Sequence, residues 1–417
     1  MSLPIKSCRI CGNTELASIL NLGEQSLTGV FPKTKDSEIT RGPLELVKCM
    51  GGAGKEACGL VQLRHSNDSA EMYGDNYGYR SGLNNSMVRH LNDIVTGILN
   101  LISLQENDLI IDIGSNDATT LKMYPQGKYL FAGIDPTALK FKKYYTDNIR
   151  IMPTFFSAAA VEKEFGGKKA KVITSISMFY DLEEPLKFVA DIHKTLADDG
   201  VWVFEQSYMP LMLERMAYDT VCHEHLEYYG LKQIKWMLDN AGFKIIDIEL
   251  NDTNGGSFKV TAAKQQGGRP ESPKVKEILA NEERLALDTL APFQEFAKNI
   301  VKHRAGLIAA LRELKKQNKT VLGYGASTKG NVILQYCGLT AVELPCIAEV
   351  NEDKFGAFTP GTLIPIVSER DAKALKPDYF LVLPWHFREN IITREREFLK
   401  AGGRLIFPLP KIEIVCG

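Results

Sequence analysis

The sequence predicts an α/β chain: a doubly wound sheet, a small cysteine-bearing lobe before it and a second α/β unit after it. Three observations carry that expectation. Apolar runs of strand length alternate with helix-period stretches, two of those runs lead into small or Gly-bearing turns that open helices, and four of the eight cysteines fall in the first 58 residues. The 417 residues, 44% apolar and 24% charged, have the composition of a soluble globular protein. That length suggests about two or three domains. Fifty basic and 51 acidic side chains give a net charge of -1, with no overall excess to neutralise a nucleic-acid backbone. No apolar run approaches the roughly 20 residues that span a bilayer, and residues 1–11 lack the apolar centre of a signal peptide. The expectation is a cytoplasmic protein with neither nucleic-acid nor membrane partner; oligomeric state is not legible.

The first region, 1–67, has little long apolar periodicity and cannot bury much core alone. The second, 68–268, opens with an aromatic segment at 72–79 and a helix-like stretch at 86–104. Strand candidates follow at 109–113, 129–134, 171–175, 201–205, 243–250 and 257–263, and their alternation with helical patterns predicts a parallel sheet. A polar break at 264–273 ends that unit. The third region, 269–417, starts with a charged, helix-period stretch at 275–317 and continues with strand candidates at 320–323, 345–349, 379–383 and 404–407.

Cys8 and Cys11 place two thiols on one tight turn, and Cys49 and Cys58 complete a set of four. In a reducing compartment this pattern reads as structural zinc, whose four protein ligands leave no open position for catalysis. The second pair is spaced C-x8-C, and its Gly-rich insert can loop out of a knuckle without moving the sulfurs.

Residues 109–120 read as a buried strand, a small polar turn and a helix. A dinucleotide fingerprint fails here, because Asn116 and Thr119 occupy positions where G-x-G-x-x-G requires glycine. The turn offers Asp112, Gly114, Asn116 and Asp117, with Asp135 at the end of the next strand, placed to hold a ribose diol. That suits S-adenosylmethionine, which has a ribose but no pyrophosphate.

Residues 218–229 concentrate acids, tyrosines and the pair His223 and His225. H-E-x-x-H fails at Glu227 and H-x-x-E-H fails at Val221, so a catalytic metal has no template. A His beside carboxylates and phenols reads instead as a general base with orienting neighbours, suited to removing a proton next to a carbonyl. In a strand the two histidines would share a face; in a helix they would diverge. Later, residues 321–331 form a second strand-turn-helix whose backbone N–H groups suit a phosphate, although Thr328 and Asn331 break the Walker pattern. Ser327, Thr328 and Lys329 could bind a diphosphate there, and a purely structural turn fits equally well.

In this order, the motifs resemble the S-adenosylmethionine-dependent C-methyltransferases of nucleotide-linked keto-deoxysugars over nearly the whole chain. The likeness lies in the cysteine knuckle, Tyr77-Gly78-Tyr79-Arg80-Ser81, Ile113-Gly114-Ser115-Asn116-Asp117, Cys222-His223-Glu224-His225, Gly323-Tyr324-Gly325-Ala326 with Lys329-Gly330-Asn331, and Leu383-Pro384-Trp385. The resemblance implies a zinc-binding lobe, a class I methyltransferase core and a C-terminal Rossmann-like lobe without a second cofactor, the sugar nucleotide lying between the last two. It implies His225 as the base that deprotonates the carbon beside a 4-keto group, Glu224 as an orienting partner, and Tyr77 and Tyr79 in the sugar pocket. The enolate carbon, at C3 or C5, then takes the methyl group. Tyr180 and Cys222 occupy substrate-side positions where C3-methylating relatives have an Ala-His pair and a Tyr. Ala118 replaces a usual Gly, which costs little if φ there is negative. Alternatives are methylation of another keto or hydroxyl substrate, or a zinc-containing binding module without activity.

Overall fold

The protein is described by a computed structural model covering residues 2–51, 57–72 and 79–417. Its largest sheet has seven strands in the order Phe243–Asn251, Ser257–Lys264, Leu196–Ser207, Ala170–Ile176, Leu109–Ile113, Leu130–Ile134, Ile149–Met152. The chain winds outward from Leu109–Ile113 first to one side and then to the other, leaving a crevice at that strand's carboxyl end. The pairing is parallel except at Ser257–Lys264, which runs antiparallel to both neighbours. The expected all-parallel sheet is thus mixed, because the short turn Thr253–Gly255 joins the last two strands as a hairpin. The central strand Leu109–Ile113 is buried throughout, which is why its sequence reads as a continuous apolar run.

A six-stranded sheet follows in the order Ile366–Ser368, Ile347–Glu349, Val321–Tyr324, Tyr379–Val382, Arg404–Phe407, Glu413–Val415, parallel except for the last strand. The stretch expected to be helical at 275–317 is two helices, Lys274–Arg284 and Ala291–Lys316. They are separated where Ala286 takes φ +52°, and Pro292 opens the second.

The first region holds more regular structure than its composition suggests. Leu16–Ser26, Arg41–Cys49 and Val61–Leu63 form an antiparallel sheet whose fourth strand, Glu227–Tyr228, comes from the core. Its apolar face, with Leu20, Leu44, Leu46, Val61 and Leu63, joins one buried cluster with Tyr218, Val221 and Tyr228 and with Phe293, Phe296 and Ile300 of the long helix. The lobe therefore buries its core only against the rest of the chain. Among the described residues, no helix is long and apolar enough to cross a membrane.

Candidate active site and metal centre

The crevice at the end of Leu109–Ile113 is lined by acids. Asp112 is 2% exposed and accepts a hydrogen bond from Thr174 Oγ1 at 2.5 Å, and burial pushes its carboxyl up to about 7. Gly114 turns the chain at φ +72°, where a Cβ would lie 3.0 Å from Met178 Cγ. Asp135 accepts from the backbone N–H of Asn116 at 2.8 Å with one oxygen and from Thr137 with the other. A carboxylate has about four lone-pair sites, so both oxygens can still accept from a ribose diol, and the residues fit the adenosyl group. The side chains of Asn116 and Asp117 are turned elsewhere, onto the backbone N–H groups of Ser81 and Gly82 at 2.9 and 3.0 Å, tying the segment before the first long helix to the crevice. Tyr79 accepts from Asn116 Nδ2 through its carbonyl while its ring side is half exposed. Tyr77 lies outside the described residues. Ala118 takes φ +59°, so the expectation of an inexpensive replacement is overturned: a left-handed Ala costs about 1 kcal/mol more than Gly.

Cys8, Cys11, Cys49 and Cys58 converge, with all four sulfurs within 4.8 Å of one another. Cys8 to Cys58 and Cys11 to Cys49 are each 3.5 Å apart. A tetrahedron with Zn–S of about 2.3 Å has edges of about 3.8 Å, so the set fits zinc. Four thiolates around a divalent ion leave a net negative charge, and Lys48 is buried beside them, donating to Gly59 O at 3.0 Å.

The segment 221–226 is neither strand nor helix, so neither face rule applies to its histidines, and they diverge. His223 is wholly buried and meets Gly42 O of the cysteine lobe at 3.1 Å, and burial pushes it down to about 4. His225 instead turns back on its own segment. Its Nδ1 lies 2.8 Å from Thr220 O, which fixes the proton there, and its Nε2 carries no hydrogen bond among the described residues. The Tyr180 ring stands edge-on at 4.4 Å from this imidazole. Burial, then the Lys329 ammonium, pushes His225 down to about 3. Glu224 accepts from Thr28 Oγ1 at 3.2 Å and from the Cys222 thiol, and burial raises its carboxyl. Cys222 is fully buried, so its thiol serves Glu224 and has no exposed surface.

Three family models match consecutive stretches: a zinc binding domain over 8–73, a methyltransferase domain over 87–248 and a C-methyltransferase C-terminal domain over 252–410. The C-methyltransferase NovU of Streptomyces niveus is 29% identical over 416 residues, 99% of this chain and 97% of that protein. The three matched stretches, in this order, and this relative fit the zinc-lobe C-methyltransferase family. Solved structures similar to the core include the mitomycin 7-O-methyltransferase MmcR, with 13% identity and TM-score 0.34 over 44% of this chain and 55% of that one. Another is the S-adenosylmethionine-bound magnesium protoporphyrin IX methyltransferase of Synechocystis, with 14% identity and TM-score 0.31 over 43% and 78%. The enzyme uses S-adenosylmethionine, and its cysteine lobe is a zinc site.

In this C-methyltransferase the late Gly-rich turn is built into a junction of all three lobes. Ser327 Oγ caps the helix Thr328–Cys337 by accepting from Gly330 N at 3.0 Å, and Asn331 Nδ2 donates to Thr28 O at 2.8 Å. A Cβ on Gly29 would displace Glu224 Oε1 and would lie 3.6 Å from Thr328 Oγ1, so glycine lets the Glu224 carboxyl come close here. Lys329 crosses to the core and donates to Asn254 O at 2.7 Å. Trp385 Nε1 donates to Asp219 at 2.8 Å, and His386 Nδ1 is buried without a hydrogen bond among the described residues. Burial, then the Lys329 ammonium, pushes His386 down to about 3. The sequence motifs include Trp385 without a role for it, and they do not mark Asp219, His386, Thr28 or Asn254. The Leu-Pro-Trp motif was the available signal for Trp385 and the adjacent His386; nothing local marks Thr28, which uses both its hydroxyl and its carbonyl, or Asn254, which uses its carbonyl.

Proposed function

We propose that this cytoplasmic enzyme C-methylates a nucleotide-linked 4-keto-6-deoxysugar at C3 or C5, with His225 as the base. The observation that carries the reading is the fixed His225 tautomer: Nδ1–H is held by Thr220 O, which leaves Nε2 as a lone pair on a ring that packs against Tyr180. Nε2 takes the proton from the carbon next to the ketone, and the C–H electron pair moves into the enolate. When bound, S-adenosylmethionine supplies the electrophilic methyl that this carbon takes, the S–CH3 bond breaking to leave the neutral thioether. Asp112, Gly114, Asn116, Asp117 and Asp135 form the cofactor crevice. Tyr79 borders the sugar pocket.

The substrate lies between a core spanning 68–268 and a C-terminal lobe spanning 269–417, after a zinc lobe at 1–67. Lys329 and Thr328 meet the diphosphate, while Ser327 and Asn331 shape the turn behind them. A diphosphate bound over Lys329 would offset the ammonium that helps depress His225, so the imidazole's basicity would rise on substrate binding.

The test is solvent exchange. Candidate 4-keto sugar nucleotides are incubated with the enzyme in deuterated water, with and without S-adenosylmethionine, and the exchanged position is located by NMR. His225→Asn is expected to abolish exchange and leave cofactor binding intact. A variant that exchanges at the normal rate would show that another group is the base.

A further inference from the structure

The cysteine cluster and the imidazole segment are joined by one side chain. Arg9 lies inside the Cys8–Cys11 turn with its side chain only 3% exposed. Its backbone N–H donates to Gln62 Oε1 at 3.1 Å, its Nη1 to Leu63 O at 2.8 Å and its Nη2 to Ser66 Oγ at 2.9 Å. Its Nε lies 3.5 Å from Glu227 Oε1 and 3.5 Å from the more exposed Glu183. Glu227 stands two residues after His225. It is buried, and neither of its oxygens has a hydrogen bond among the described residues. Burial pushes its carboxyl well up, and the Arg9 guanidinium is the neighbouring cation that opposes that shift. The main chain repeats the link: Glu227 pairs with Gln62, Tyr228 pairs with Val61, and Leu63 N donates to Leu226 O at 2.8 Å. Residues 61–63 thus receive both the side chain of the metal turn and the base-bearing segment.

We propose that Arg9 is a positioning residue for methyl transfer: its guanidinium carries the geometry of the metal-bound cysteine turn to Leu226–Tyr228 and so holds His225 in place. The proposal rests on His225 being the base. Residues that orient a site through another group lower activity by about 10–100-fold when removed.

The test reads the imidazole itself. In enzyme labelled with nitrogen-15 histidine, the His225 Nδ1–H signal is assigned by its loss in His225→Asn and followed while zinc is withdrawn by a chelator. In the wild type it is expected to move as zinc leaves. In Arg9→Met, zinc measured by elemental analysis remains at about one per chain, the signal is already displaced, and chelation adds little. Turnover falls by about 10–100-fold with the KM for S-adenosylmethionine unchanged, and Arg9→Lys restores part of it. Glu227→Gln reproduces the displacement without touching the metal turn, and it decides the matter if Arg9→Met loses zinc. A wild-type signal indifferent to zinc removal, or a Glu227→Gln signal coincident with wild type, overturns the proposal. A signal that moves as expected in an enzyme that never exchanges substrate deuterium leaves Arg9 as the anchor of its segment and removes His225 as the base. Normal exchange with an unmoved signal does the reverse.

Discussion

His225 and His223 lie two positions apart and titrate for different reasons. Burial lowers both, but His225 also feels Lys329, whereas His223 is buried against the cysteine lobe. Replacing Lys329 by Gln should therefore raise the His225 pKa above about 3 in the free enzyme, read by NMR titration, and leave His223 near 4. In the wild type the acid limb of kcat/KM, which reports the free enzyme, should lie well below pH 6.5. A limb at pH 6.5 would mean that the catalytic imidazole is not the desolvated one. His223 bears on stability. Its folded pKa, about 4, is below the unfolded 6.5, so the unfolded chain binds more protons between those values. The stability it contributes is complete above pH 6.5 and falls away toward pH 4, by about 3 kcal/mol at most. Urea unfolding of His223→Gln should show a shallower loss across that window than the wild type.

The helix Ala291–Lys316 buries Phe293, Phe296, Ile300, His303, Leu307, Leu311 and Leu314, a stripe at three- and four-residue spacing that packs under the cysteine lobe and against the C-terminal sheet. Leu307→Ala should cost about 2–5 kcal/mol in urea unfolding, and Lys302→Ala on the exposed face less than about 0.5 kcal/mol. This helix was legible because its period is regular over many turns, though its separation from Lys274–Arg284 was not, since a single left-handed Ala marks the break. The core strands were legible because both of their faces are apolar. Leu16–Ser26 was not: its burial alternates imperfectly and its pairing with Arg41–Cys49 slips twice, at Ser18–Leu20 and Asn21–Glu24, so no period of two survives in the sequence. In the same way the cysteine spacing pointed to the metal set and the Cys-His-Glu-His run to the imidazole. The partners of the two imidazoles, Thr220 O and Gly42 O, and the partner of Lys329, Asn254 O, are backbone atoms that carry no sequence signal.

Across the whole molecule, the metal turn, the base-bearing segment and the C-terminal helix are fastened at two points, the strand pair at 61–63 with 226–228 and the Thr28–Glu224–Asn331 junction. Withdrawing zinc under reducing conditions should expose the four thiols of the cluster to a thiol reagent and lower the midpoint of thermal unfolding. It should also loosen amide protons around Val61 and Tyr228, read by hydrogen exchange, while those of Leu109–Ile113 stay protected. The shared sheet has a consequence for recombination between relatives. An exchange that swaps only the first seventy or so residues imports three strands and keeps a foreign fourth, setting mismatched neighbours at Gln62 and Glu227. Hybrids that inherit 222–229 along with the leading lobe should be the ones that survive, so the heritable unit of this enzyme is discontinuous in its gene.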